Sequence, residues 1–307
     1  MTDRSASGRS PNSTPITATD ERAALMVLAT VNRAHGTQYS LVGRLPGGYQ
    51  NGAYELISPD GDRAVLKWFP VPRPLDVVSQ AAAAVGAARA NGWPTPAWLH
   101  WGIGPDGLPY EIQEFVDGWH LDRLDPDSLR LLLDVNARQA RLRPPTRHEW
   151  SPWIEDMVYR DREAVLDRAA LLGREGRQLT SVIVELRRFA SNVTLARHDL
   201  VCGVFSLENI LFGDAGVAGI IDVEAIGRGT RAFDLAVLYS RLSDDEQQSD
   251  LGEALRTAAC DVDGAGAFAV CLAAEFLGLI LFLSNRRSEG VRSMVGLAAR
   301  SLERLIS

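Results

Sequence analysis

A chain of 307 residues can form one two-lobed unit or two domains. Its composition, 46% apolar and 23% charged, is that of an ordinary globular protein. The net charge of −7 argues against a nucleic-acid partner, which needs a basic face. Cys202, Cys260 and Cys271 are widely spaced, which fits a reducing cytoplasm and forms no metal-binding pattern.

Residues 1–19 are rich in Ser, Thr and Pro, and they contain neither an apolar run nor a periodicity. They are expected to be a disordered tail without a secretory signal. From Asp20 the spacing of Ala23, Met26, Val27, Val31 and Ala34 predicts a helix ending at Gly36. Short strands are expected next over Tyr39–Arg44, Gly52–Ile57 and Arg63–Phe69, with turns at Pro46-Gly47-Gly48 and Ser58-Pro59-Asp60-Gly61. An Ala-rich helix over Asp76–Ala90 and strands at Trp98–Ile103 and Tyr110–Phe115 complete an antiparallel meander. From Pro126 the 3.6-residue periodicity predicts helices over 126–142, 151–173, 177–192, 231–242, 246–259, 264–284 and 288–306. A β insert over 200–222 interrupts them, with a hairpin turn at Gly213-Asp214-Ala215-Gly216. The apolar run from Ala265 to Ser284 is long enough to span a membrane. Glu275 within it, and the lack of a second span, favour a buried core helix.

Three stretches carry chemistry. In PGGYQNGAYEL the turn at Gly47 and Gly48 would let backbone N–H groups approach a phosphate, although any hairpin can use two glycines. In RAVLKWF, Lys67 shares a strand face with Val65 and Phe69, and it is the only Lys among 32 basic residues. Arg does not replace Lys where a compact point charge must fit a confined site, so the position of Lys67 is informative. In NILFGDAGVAGIIDVE, Asn209 precedes one strand of the hairpin and Asp222 ends the other. An amide oxygen and a carboxylate then meet at one mouth, as Mg²⁺ requires, with Glu224 on the same side if the chain stays extended. Asp234 in AFDLAVL reads as an ordinary helix N-cap.

The segments GGYQNGAYEL, VLK, YEIQEFVDG, FSLENILF and IIDVEAIGRGTRAFDLA span about residues 45–240. Through them the chain resembles the aminoglycoside phosphotransferase and choline kinase family. The resemblance implies an α+β, bilobal protein-kinase-like fold with a small antiparallel-sheet N-lobe and a larger helical C-lobe. The expected division is a tail at 1–19, an N-lobe at 20–117 and a C-lobe at 118–307 carrying the catalytic-loop hairpin at 200–222. By resemblance Lys67 holds the phosphates of ATP or another nucleoside triphosphate, and the backbone around Glu114–Val116 meets the adenine. Asn209 and Asp222 bind Mg²⁺, and the helices after 240 line the acceptor pocket.

Two departures stand out. The family's loop reads His-Gly-Asp, four residues, then Asn; here Cys202, Gly203 and Val204 precede FSLE and Asn209. Val204 occupies the position of the carboxylate that accepts the proton of the attacking hydroxyl. Asp199 and Glu208 are the candidates to compensate, but Asp199 would need a five-residue shift of register, roughly 16 Å of extended chain. The family also pairs the strand Lys with a Glu on the following helix. Between Val71 and Trp93 there is no Glu, and the matching position falls at Gln80 or Ala81.

Two functional readings follow. One is a degenerate kinase-like protein that keeps ATP–Mg²⁺ binding and acts through a ligand or a protein partner. The other is a working phosphotransferase, acting on a hydroxyl of a small molecule or peptide with an unusual base. Either is expected in the cytoplasm, with no membrane or nucleic-acid partner.

Overall fold

Alternating apolar residues build the first layer of the protein. The computed structural model describes residues 18–46, 52–69, 71–104 and 106–307. Main-chain proximity separates two units, the first comprising residues up to Ser79 together with Ala97–Phe115, the second Gln80–Pro96 with Val116–Ser307.

The first unit opens with helix α1 (Ala18–His35), which stops at Gly36, where φ is +66°. Strands β1 (Ser40–Arg44), β2 (Ala53–Ile57) and β3 (Arg63–Trp68) precede helix α2 (Leu75–Ala90), which runs from this unit into the second. Strands β4 (Trp98–Ile103) and β5 (Pro109–Glu114) complete an antiparallel sheet of order β1-β2-β3-β5-β4. One sheet face presents Tyr54, Leu56, Ala64, Leu66, Trp68, Tyr110 and Ile112 to Ala24, Val27, Leu28 and Val31 of α1. Each fully buried Val, Leu or Ile among them contributes roughly 1.5–3 kcal/mol by leaving water. Period-2 alternation sends Glu55, Val65, Lys67, Glu111 and Gln113 to the opposite face.

The second unit is mostly helical, with α3 (Pro126–Ala137), α4 (Trp150–Tyr159), α5 (Val165–Ala170) and α6 (Arg174–Phe189) coming first. Asp125 caps α3 through a reciprocal bond pair with Ser128. The helix expected over 151–173 is broken, because Asp161, Glu163 and Ala164 take positive φ between α4 and α5. Strands β6 (Asp199–Val201) and β9 (Gly227–Gly229) pair with each other, and β7 (Ile210–Gly213) with β8 (Gly216–Ile220). Helices α7 (Ala232–Ser240), α8 (Asp244–Gln247), α9 (Asp250–Asp263), α10 (Ala265–Asn285) and α11 (Val291–Ile306) follow.

Among the described residues α10 alone is long and apolar enough to cross a membrane, and 67% of its most apolar window is buried within the protein. It packs against α4, α7, α9 and α11, as expected of a core helix. Its one carboxylate, Glu275, is 8% exposed and accepts from the Arg241 guanidinium at 3.3 Å.

Candidate active site

The loop after β6 is fixed by a carboxylate from a distant helix. Asp234, 0% exposed, accepts from the backbone N–H groups of Gly203 at 2.8 Å and Cys202 at 3.0 Å. Gln139 donates to the same carboxylate at 2.6 Å. This corrects the expected N-cap: Arg231 occupies the cap of α7, and Asp234 lies inside its first turn, reaching across to the loop. Burial raises the Asp234 pKa, while these hydrogen bonds pull it back down. Burial also pushes the Cys202 thiol well above its ordinary value, so it stays protonated and unreactive.

Gly203 has φ +74°, and a Cβ there would stand 2.2 Å from Cζ2 of Trp150. Only glycine combines that backbone with that approach. The Trp150 indole N–H donates to the Ala225 carbonyl at 3.0 Å, which ties the segment after Asp222 to the ring that covers Gly203.

At the position where the resemblance expects the base, the backbone carbonyl of Val204 is the hydrogen-bonding group. That oxygen accepts from Ser206 N at 2.7 Å and from Asn209 Nδ2 at 3.0 Å. The two candidates for compensation are placed differently. Asp199 is 8% exposed, and its oxygens accept from Arg141 N at 2.8 Å and Arg231 N at 3.3 Å, with the Arg231 guanidinium at 3.9 Å. Glu208 is exposed, in a 3₁₀ turn over Leu207–Asn209.

The hairpin brings Asn209 and Asp222 together. Ile210 pairs with Ile220, and Asn209 O accepts from Ile221 N at 2.9 Å, so Asp222 follows the residue bonded to Asn209. Asp222 takes φ +63°, in the left-handed region. The chain does not stay extended beyond it. Glu224 and Ala225 form a turn closed by Ile226 N on Val223 O at 3.0 Å, so the expectation that Glu224 continues the same edge fails. Among the described residues no group of three or more His, Cys, Asp and Glu could hold a metal ion. The set Asn209, Asp222 and Glu224 instead mixes an amide with two carboxylates. These are hard oxygen donors of the kind Mg²⁺ takes, supplemented by phosphate oxygens and water. The Nδ2 bonds of Asn209 to Val204 and Ser206 leave its amide oxygen as the available acceptor.

A model for the phosphotransferase enzyme family (APH) matches residues 42–269. The chain belongs to this family. Among solved structures it is similar to a thermostable mutant of aminoglycoside phosphotransferase APH(4)-Ia in ternary complex with ADP and hygromycin B. That match has 15% identity and a TM-score of 0.65, over 90% of this chain and 97% of that one. It is also similar to the amicoumacin kinase hAmiN in complex with AMP-PNP, Ca²⁺ and Ami, at 12% identity and TM-score 0.61, over 94% and 96%. The GDP complex of an aminoglycoside 2′-phosphotransferase-IIIa variant matches at 15% identity and TM-score 0.60, over 93% and 97%. No curated protein matches. The sheet followed by the helical region is thus the kinase-like α+β fold of the aminoglycoside phosphotransferases.

Within this APH chain the remaining predicted residues are placed as follows. Lys67 lies in the centre of the sheet, paired across β2 with Ala53 and across β5 with Glu111. Gly47 and Gly48 lie outside the described residues. Glu114 ends β5, exchanging bonds with Ala97: its N–H donates to Ala97 O at 2.8 Å and its carboxylate accepts from Ala97 N at 3.2 Å. Val116 packs its side chain on Gly219 of β8, where an added Cβ would meet it at 3.1 Å. Gln80 is not held in reserve, since its side-chain oxygen accepts from Arg147 N at 3.0 Å.

Sequence reasoning missed the strap formed by Trp119 and His120. Trp119 and Phe212 exchange backbone bonds at 2.8 and 2.9 Å, and His120 Nδ1 lies 3.1 Å from Ile210 O and 3.2 Å from Leu207 O. An aromatic pair straight after Asp117-Gly118 was the available signal.

Proposed function

We propose that this APH-family protein binds a nucleoside triphosphate with Mg²⁺ and has lost efficient phosphoryl transfer, acting through the ligands it holds. In this reading Lys67 takes the phosphates, the Glu114–Val116 backbone the base, and Asn209 with Asp222 the cation. Mg²⁺, when bound, would neutralise phosphate charge. Asn209 is pre-set for that duty by Val204 O and Ser206 Oγ.

The observation that carries the reading is that Val204 stands where the base is expected, and the buried Asp199 is engaged elsewhere. Val204 supplies only an alkyl group there, and both Asp199 oxygens already accept backbone bonds from Arg141 and Arg231. General-base assistance is worth roughly 10²–10⁴-fold, whereas positioning and electrostatics supply much of phosphoryl transfer. The combination favours retained binding over fast turnover.

Family membership, together with similarity to an aminoglycoside phosphotransferase solved with hygromycin B and to the amicoumacin kinase hAmiN, favours a second reading. The protein would then be a phosphotransferase acting on a hydroxyl of a small molecule or peptide with an unusual base. Thermal denaturation with ATP and MgCl₂ tests what both readings share. Nucleotide at 100 times its Kd stabilises by about 2.7 kcal/mol, and no rise in Tm at saturating ATP–Mg²⁺ contradicts both.

A further inference from the structure

The strap of Trp119 and His120 lies along the hairpin that brings Asn209 and Asp222 together. Strap and hairpin belong to the same compact unit. Their close approach is specified twice. Trp119 N donates to Phe212 O at 2.9 Å, and Phe212 N returns the bond to Trp119 O at 2.8 Å. Gly118, the residue before, lets the two backbones close. A Cβ there would stand 2.8 Å from Phe212 O and 3.1 Å from Leu211 Cβ, so a side chain at this position would push the strap off the hairpin.

The next side chain uses that proximity. His120 Nδ1 lies 3.2 Å from Leu207 O and 3.1 Å from Ile210 O. Carbonyl oxygens only accept, so Nδ1 carries the hydrogen and shares it between them. The two carbonyls bracket Asn209. The turn between them is a single 3₁₀ turn over Leu207–Asn209, a weak element by itself, and Ser206 gives it no side-chain cap. Its own main-chain bonds are Asn209 N to Ser206 O at 2.9 Å and Ile210 N to Leu207 O. Val204 O and Ser206 Oγ fix the Asn209 side chain. The carbonyls held by His120 fix the backbone from which that side chain projects.

We infer that His120 is a positioning residue, whose Nδ1–H clamps the turn over Leu207–Asn209 and so keeps Asn209 set for the cation. It acts through the backbone of the turn. Its effect on Mg²⁺ rests on the proposed function, but the clamp itself does not.

The geometry of amide side chains provides the test. Asn carries its N–H as many bonds from the backbone as Nδ1, so His120→Asn keeps the donor. Gln carries it one bond further out, at the level of Nε2, and Ala carries none. Calorimetric titration of ATP with and without MgCl₂ reads the affinity that Mg²⁺ adds. His120→Ala and His120→Gln are expected to cut that gain about tenfold, as for groups that orient metal ligands, and to leave metal-free affinity within about twofold of the parent. His120→Asn is expected to restore it. Hydrogen exchange on the full chain without nucleotide, read by mass spectrometry, reports on the clamp directly. The amides of Asn209, Ile210 and Ile221 are expected to exchange about tenfold faster in His120→Ala and His120→Gln, and at the parent rate in His120→Asn. Unchanged exchange in His120→Ala overturns the inference, as does a His120→Asn variant no better than His120→Gln. A parent chain whose ATP affinity gains nothing from Mg²⁺ sinks the functional reading, and the exchange rates then decide the clamp alone.

Discussion

Asp234 of α7 and Gly203 of the loop after β6 are joined at 2.8 Å, carboxylate to backbone N–H, across thirty-one residues of sequence. The same carboxylate holds Cys202 N and Gln139 Nε2, so one buried side chain sets the frame that would present Val204 and Asn209. Asp234→Ala leaves those donors without an acceptor. The expected cost is about 2–5 kcal/mol in chemical denaturation, the range for stranding buried polar partners. A cost under about 0.5 kcal/mol, the scale of an ordinary surface substitution, would mean the loop does not depend on this anchor.

Glu275 should make stability fall with pH. Burial raises its pKa above the 4.5 of a free glutamate, against the pull of Arg241. A raised pKa means that the folded chain keeps its proton longer than the unfolded one. The contribution is therefore complete below about pH 4.5 and is lost as pH climbs through the folded value. Glu275→Gln removes the titration, so its Tm should gain on the parent between about pH 4 and pH 8. A Tm difference that stays flat across that range contradicts the raised pKa.

Nucleotide and cation should separate by variant. Lys67→Ala is expected to weaken ATP binding at least tenfold, about 1.4 kcal/mol, with or without Mg²⁺. Asp222→Asn should leave metal-free ATP binding nearly intact and abolish the extra affinity that Mg²⁺ adds. Calorimetric titration of ATP with and without MgCl₂ checks both. Equal losses in the two variants would remove the division of labour assigned to them.

Much of the architecture could be read from local sequence. Alternation in AYELI and the β-branched and apolar run of RAVLKW, with turn residues between, specify β2 and β3, and the strand period places Lys67 opposite the core face. The tandem NILF and VAGII segments around Gly213 and Gly216 specify the hairpin, and with it the meeting of Asn209 and Asp222. What stayed hidden depends on tertiary contacts. An aspartate near the start of a helix looks like a cap whether it bonds its own turn or, like Asp234, a loop from elsewhere. Asp199 could be argued as a base until Arg141 N and Arg231 N claimed its oxygens. In PYEIQE the sequence cannot tell a solvent-facing glutamate from the buried Glu111.

On the proposed reading, Lys67, Asn209 and Asp222 still hold nucleotide and cation, and Val204 stands where the base is expected. The most direct measurement compares Mg²⁺-dependent ATP hydrolysis by the parent chain and by Val204→Asp, with Asp199→Ala alongside. Little turnover is expected in the parent, no effect of Asp199→Ala, and a gain of about 10²-fold or more in Val204→Asp, the scale of general-base assistance. A parent chain that already turns over ATP and loses that activity on Asp199→Ala would contradict this reading.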